Sequence, residues 1–321
     1  MKMKKPDIFL GITLCMLVLA AVLCIVIWVI QKKDPTTSPS DTGTSISTTT
    51  GAPTPSDTQT TPHTSEQNQP VSPSELKAID EAGLKAALDD ALNGLTSEWQ
   101  VVVTDPAKGS RIASAVNCEP DAWMTANRMT QVFIMGAVFQ QAKDGTLTLD
   151  AVLDDVKAMI VKNDLAAADK LTETLGGGDA AKGRDAVKEF AVANGVKLGF
   201  NRPLSGTADQ KNYVTAQQTA VLLDMICRGE LVNESASQQM LEILLTGSEN
   251  PEIDPGLTTP NARCGFVTDV EDGTCICTMG VVQLPNRSFV ISVVCNKPVT
   301  TDGAKKKVAE LITLTESFFK E

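Results

Sequence analysis

Residues 263–294, "RCGFVTDVEDGTCICTMGVVQLPNRSFVISVV", hold three runs rich in Val, Ile, Phe, Thr and Cys, cut by Glu271-Asp272-Gly273 and by Pro285-Asn286. Runs of β-branched and aromatic residues bounded by turn formers read as consecutive antiparallel strands. The boundaries fall at about 260–268, 273–283 and 288–295, and a helix at 303–319 closes the chain. Two more strands stand far upstream. "EWQVVVTD" (98–105) and "SRIASAV" (110–116) read as a hairpin across Asp105-Pro106-Ala107-Lys108-Gly109.

Almost everything between the two strand groups carries helical periodicity. "TANRMTQVFIMGAVFQ" (125–140) opens a helix over 127–143 that is apolar on nearly every side and stops at Asp144-Gly145. Such a helix belongs in the middle of a large core. Further helices are predicted at 149–161, 165–175, 180–193, 215–228 and 234–245, with Thr215 and Asn233 as caps and Gly176-Gly177-Gly178 as a break. An N-terminal helix is predicted from Ser72 as cap, Pro73 at the first helical position and Glu75 completing a capping box. The order is helix, two strands, helical block, three strands, helix. It gives an α/β (α+β) fold: a five-stranded antiparallel sheet with the terminal helices on one face and an inserted all-helical subdomain on the other.

Two segments precede this domain. Ile8–Ile30 is 23 residues without a charge, which spans a bilayer core of ~30 Å at about 1.5 Å per residue. It is too long for a signal-peptide core and lacks a small-residue cleavage site, so it reads as a signal-anchor helix after a short cytoplasmic N-terminus, 1–7. Residues 31–73 are a Thr/Ser/Pro-rich tether with almost nothing to bury. Residues 74–321 form the folded domain, expected on the outer face of the cell membrane.

The domain's chemistry is bounded by what it lacks. Five lysines and five acids lie before residue 74, leaving 23 basic against 34 acidic residues in the domain. A surface that acidic does not attract nucleic acid or anionic lipid in bulk. The single histidine, His63, lies in the tether. That excludes Ser-His-Asp and Cys-His catalysis and histidine-ligated metals from the domain, and no cofactor or metal is expected. Any catalysis would fall to lysines, carboxylates or Tyr213. Six cysteines remain, Cys118, Cys227, Cys264, Cys275, Cys277 and Cys295. Their even number permits bridges, most plausibly among Cys264, Cys275 and Cys277.

The element order and the local wording of "VFIMGAVFQQAKDGTLTLD", "MIVKNDLAAADKLTETLGG", "NYVTAQQTAVLLDMICRGELVNESASQQMLEILL" and the 263–294 stretch resemble the penicillin-recognising serine hydrolases, most closely the class A β-lactamases. The resemblance covers essentially all of 74–321. It implies three cleft motifs, Ser-x-x-Lys, Ser-Asp-Asn and Lys-Thr-Gly. Here they fall on Arg128-Met129-Thr130-Gln131, on Asn163-Asp164-Leu165 and on Arg263-Cys264-Gly265. Arginine offers no nucleophile and glutamine no base. Asn163 and Leu165 replace the proton-relaying serine and the amide-holding asparagine. Arg263 keeps a charge, Cys264 loses a hydroxyl, and Gly265 keeps room for close backbone approach. The family's deacylating glutamate is missing too, since no glutamate lies between Glu189 and Glu230. Ser74-Glu75-Leu76-Lys77 matches Ser-x-x-Lys only formally, because helix capping accounts for it.

The resemblance implies an oxyanion hole from the backbone N–H groups of Arg128 and Phe266. Two cleft states then follow. In one, Arg128 and Arg263 make a cationic groove for an anionic ligand such as a cell-wall peptide. In the other, Arg128 pairs with Asp164 and plugs the groove. The leading functional reading is a membrane-anchored pseudoenzyme that binds or supports at the cell envelope. The alternatives are a residual hydrolase with a rearranged nucleophile such as Cys264, and an interaction module that works through another face.

Overall fold

The computed structural model describes residues 77–119, 121–206, 210–247, 251–271 and 273–320. The apolar run 8–30, the tether 31–73 and the cap expected from Ser72, Pro73 and Glu75 lie outside the described residues. Among the described residues, no helix is long and apolar enough to cross a membrane.

The helix α1 spans Glu81–Leu92, and its cap is Asp80, whose carboxylate accepts from Gly83 N at 2.8 Å. The expected helix therefore does not run through 77–80. Ala78 and Ile79 lead in without helical structure, and Ile79 is buried against the terminal core. Strands β1 (Glu98–Asp105) and β2 (Ser110–Val116) form the expected hairpin. Two residues, Met124–Thr125 (β3), pair with Tyr213–Val214 (β4) to make a small second sheet that no periodicity reveals. The helical block comprises α2 (Thr130–Lys143), α3 (Leu153–Val161), α4 (Leu165–Leu175), α5 (Ala180–Ala193), α6 (Ala216–Cys227) and α7 (Glu234–Leu245). A 3-10 turn at Leu149–Ala151 precedes α3, so the predicted 149–161 helix is broken at Val152. Strands β5 (Arg263–Glu271), β6 (Cys275–Gln283) and β7 (Ser288–Asn296) and helix α8 (Thr301–Phe319) complete the domain.

The main sheet has the order β2-β1-β7-β6-β5, all neighbours antiparallel. It divides two cores. On one face, α1 and α8 cover Trp99, Val101, Val103, Ile291 and Phe289. On the other, the helical block covers Val102, Val267, Met279 and Val290 around α2. Every residue of α2 from Thr130 to Phe139 is buried, which accounts for its all-round apolar sequence. Strand β6 is buried along both faces and reads as a continuous apolar run. Strand β5 lies at the sheet edge and alternates instead.

All six cysteines are free thiols. The register gives the reason for Cys264. Cys275 and Cys277 pair with Glu271 and Asp269 and face the helical block, whereas Cys264 lies an odd number of residues from both partners along β5 and packs toward α1 and α8. The sheet itself separates them.

Candidate functional site

The family's cleft would lie where the start of α2, the α3–α4 turn and strand β5 converge, and the structure brings these together. Helix α2 begins at Thr130, not at 127. Asn127, Arg128 and Met129 form the turn before it, closed by Gln131 N donating to Arg128 O at 3.0 Å. Arg128 and Gln131 therefore keep their three-residue spacing across this lead-in turn, with only Gln131 on the α-helix proper. Gln131 is fully buried and its Nε2 donates to Asn163 Oδ1 at 3.0 Å. Asn163 holds φ at 56° in the α3–α4 turn, a left-handed conformation that asparagine tolerates well.

Arg128 is the centre of an acidic cage. Its Nη1 pairs with Glu252 Oε1 at 2.9 Å and its Nε lies 3.8 Å from Asp269 Oδ1. Asp269 Oδ2 also accepts from Arg128 N at 3.1 Å and from Asn127 N at 2.5 Å. The backbone N–H expected in an oxyanion hole is thus already bound to a carboxylate of the chain itself. Asp269 is only 3% exposed. Burial pushes its carboxyl above the ordinary range, and the donors from Arg128 and Asn127 offset this only partly. Asn127 extends the framework by donating to Leu204 O and accepting from Asn212 Nδ2, which ties both residues to the turn.

A cavity of about 170 Å³ remains, lined by Gln131, Asn163, Glu252, Cys264, Phe266 and Thr268 among others. Four of the predicted positions, Gln131, Asn163, Cys264 and Phe266, meet there. The others do not. Asp164 caps α4, accepting from Ala166 N and Ala167 N, so it does not pair with Arg128. Leu165 begins that helix and packs at the edge of the core. Arg263 is exposed and pairs with Glu242 of α7 at 2.8 Å. The cationic groove therefore does not form, since each arginine is neutralised by its own acids. Gly265 admits protein, not ligand. A Cβ there would lie 2.0 Å from Leu244 O, so the glycine permits α7 to close on β5. Cys264 is half-buried, and burial and the nearby Asp254 push its thiol up, away from the reactive thiolate. Among the described residues, no group of three or more His, Cys, Asp or Glu side chains is arranged to hold a metal.

The sequence profile of the beta-lactamase enzyme family matches residues 151–314. The chain belongs to this family. Solved class A enzymes share its fold. One from Bacteroides cellulosilyticus superposes with a TM-score of 0.64 at 17% identity, covering 76% of this chain and 99% of that one. A β-lactamase from Sphaerobacter thermophilus gives 0.61 at 16% identity, over 75% and 98%. The TLA-1 extended-spectrum β-lactamase gives 0.64 at 15% identity, over 75% and 99%. A search of curated protein sequences returned no match.

Three residues of this β-lactamase-family site lie outside the three cleft motifs: Asn127, Glu252 and Asp269. Asp269 had a signal. In "VTDVE" alternation puts Val267, Asp269 and Glu271 on one face, so an acid on the inward side of a strand was readable. Glu252 had none, because it reaches Arg128 from a Pro-rich loop with no period.

Proposed function

We propose that this chain is a β-lactamase-fold domain that does not carry out acyl transfer and acts as a binding or structural element at the cell envelope. The observation that carries the reading is the state of Arg128. It stands where a serine nucleophile would be required, its guanidinium is held by Glu252, and its N–H is held by Asp269. Acyl transfer needs an attacking oxygen, a base beside it and free donors for the developing oxyanion. The alternative, a residual hydrolase using Cys264, is disfavoured by the burial that raises that thiol. The test is intact-mass analysis after incubation with a fluorescent penicillin and with nitrocefin. No covalent adduct and no turnover are expected; a penicilloyl group on any side chain overturns the proposal.

The same reading takes Ile8–Ile30 as a single-pass anchor and residues 31–73 as a tether that presents the domain outside the membrane. Added protease digesting the domain in intact cells is the expected result, and full protection refutes it. A cell-wall peptide entering through its carboxylate would have to displace Glu252 from Arg128. Muropeptide binding is therefore expected to tighten at least several-fold in Glu252→Gln, and equal affinity in both proteins removes the cleft as the binding site.

A further inference from the structure

The cleft cavity has a chemical polarity that its motif positions do not announce. At about 170 Å³ it has room for about five groups of water size at ~30 Å³ each, the size of a short side chain. Ile160, Ile253 and Phe266 give it apolar walls. Among the described residues that line it, Glu252 is the only charged one. Arg128 does not line it, although Glu252 Oε1 holds that guanidinium at 2.9 Å.

Two acceptors on this cavity are unspent. Glu252 Oε2 is buried and has no hydrogen-bond partner among the described residues. Gln131 is 1% exposed; its Nε2 is taken by Asn163, and its Oε1 accepts no hydrogen bond among the described residues. A buried acceptor without a donor is costly, so both favour an incoming N–H. The terminal torsion of a glutamate is soft, so Oε2 can turn to meet a group in the cavity. The charge balance points the same way. Arg128 answers both Glu252 and Asp269, and Asp254 is close enough to Cys264 to push its thiol up. Three acids thus stand around one guanidinium.

We infer that the cleft takes a primary alkylammonium group, the end of a short amine or of an amine-bearing side chain. The ammonium donates to Glu252 Oε2 and Gln131 Oε1, and its carbon chain lies against Ile160, Ile253 and Phe266. This deepens the reading of the cleft as a non-acylating binding site and rests on it: a peptide enters by its amine, not by its carboxylate. Glu252→Gln therefore moves ammonium and carboxylate ligands in opposite directions.

The experiment uses the full chain in phosphatidylcholine nanodiscs and a fluorine NMR titration of trifluorobutylammonium, with trifluorobutyrate and trifluorobutanol as matched anionic and neutral probes. Saturable broadening of the ammonium probe alone, competed by butylamine, is expected. Glu252→Gln removes a charge-assisted partner and should weaken binding roughly tenfold or more, and Gln131→Met removes a neutral acceptor and should weaken it about two- to tenfold. Glu173→Gln, which neutralises an exposed acid on α4, should leave it within about twofold, so that the cleft is separated from the general acidity of the surface. No saturable binding to the wild type, equal binding of the butyrate or butanol probe, undiminished binding in both cleft variants, or an equal loss in Glu173→Gln overturns the inference. Intact-mass analysis with a fluorescent penicillin is run on the same sample. A penicilloyl adduct overturns the non-acylating reading, whereas failed ammonium binding without an adduct overturns this inference alone.

Discussion

Replacing Asp269 by alanine would empty the anion position at the start of α2. Two backbone donors, Asn127 N and Arg128 N, would lose their shared acceptor, and the Arg128 guanidinium would lose the farther of its two carboxylates, at 3.8 Å from Nε. A buried donor left unsatisfied costs about 1–3 kcal/mol, so the pair costs about 2–6. The variant also escapes the burial of a charged carboxylate, which the raised pKa of Asp269 identifies as unfavourable. That places the net loss in the lower half, about 2–4 kcal/mol. For a domain of this size, thermal unfolding should move down by about 4–16 °C, at 2–4 °C per kcal/mol. The vacated space is shaped by the same donors, so a small carboxylate should re-enter it. At a concentration ten times its Kd, formate would restore about 1.4 kcal/mol. The assay is differential scanning calorimetry of wild type and Asp269→Ala in formate and in chloride at equal ionic strength. The reasoning is refuted if the variant unfolds within 1 °C of wild type, or if chloride restores stability as well as formate.

The linkage at Asp269 has a definite sign. A raised folded pKa contributes stability that is present below the ordinary carboxylate range and lost as pH rises through the folded value. Asp269→Asn should flatten that decline, read by urea melts between pH 4 and 8, while keeping stability at pH 7. Glu316 behaves in the opposite way. Burial alone would raise it, but donors from Thr259 and Thr258 and the Lys320 ammonium outweigh this and hold the carboxyl low. Its stabilisation is present above the ordinary carboxylate range and lost as pH falls through the folded value, so Glu316→Gln should lose about 1–3 kcal/mol at pH 7 and much less in acid. Gly265→Ala should cost about 1–3 kcal/mol by denaturant titration, because its Cβ would meet Leu244 O at 2.0 Å. Arg128→Ser with Gln131→Lys restores the residue types of Ser-x-x-Lys but leaves Asp269 against the N–H of residue 128. No burst of nitrocefin hydrolysis is expected; a measurable burst would show that the carboxylate yields to an acyl group.

The fold was legible because its signals are long and consistent. The 263–294 meander, the upstream hairpin and the all-apolar α2 each follow one period over many residues, and the structure departs from them mainly at the ends. The errors have local causes. The continuous helix expected through 77–80 gives way because Asp80, whose side chain supplies the cap for α1, starts the helix at Glu81. The β3–β4 pair is two residues per strand, below any periodic window. At the site, the motif positions locate Gln131, Asn163, Cys264 and Phe266 on one cavity. They misplace Arg263 and Asp164, because an ion pair with α7 and a helix cap are tertiary and local choices that residue type does not announce. Glu252 and Asp269 come from segments 124 and 141 residues beyond Arg128, and only the closed fold brings them to it.

The pairing of β1 with β7 joins Glu98 to Asn296. A ribosome adding about 5–20 residues per second needs on the order of 10–40 s to deliver the second strand after the first. Throughout that interval "QVVV" can close only against β2, and its other side stays open to any extended segment nearby. Yield in the cell should therefore depend less on final stability than on what shields this nascent hairpin, and slowed translation of the helical block should increase aggregation.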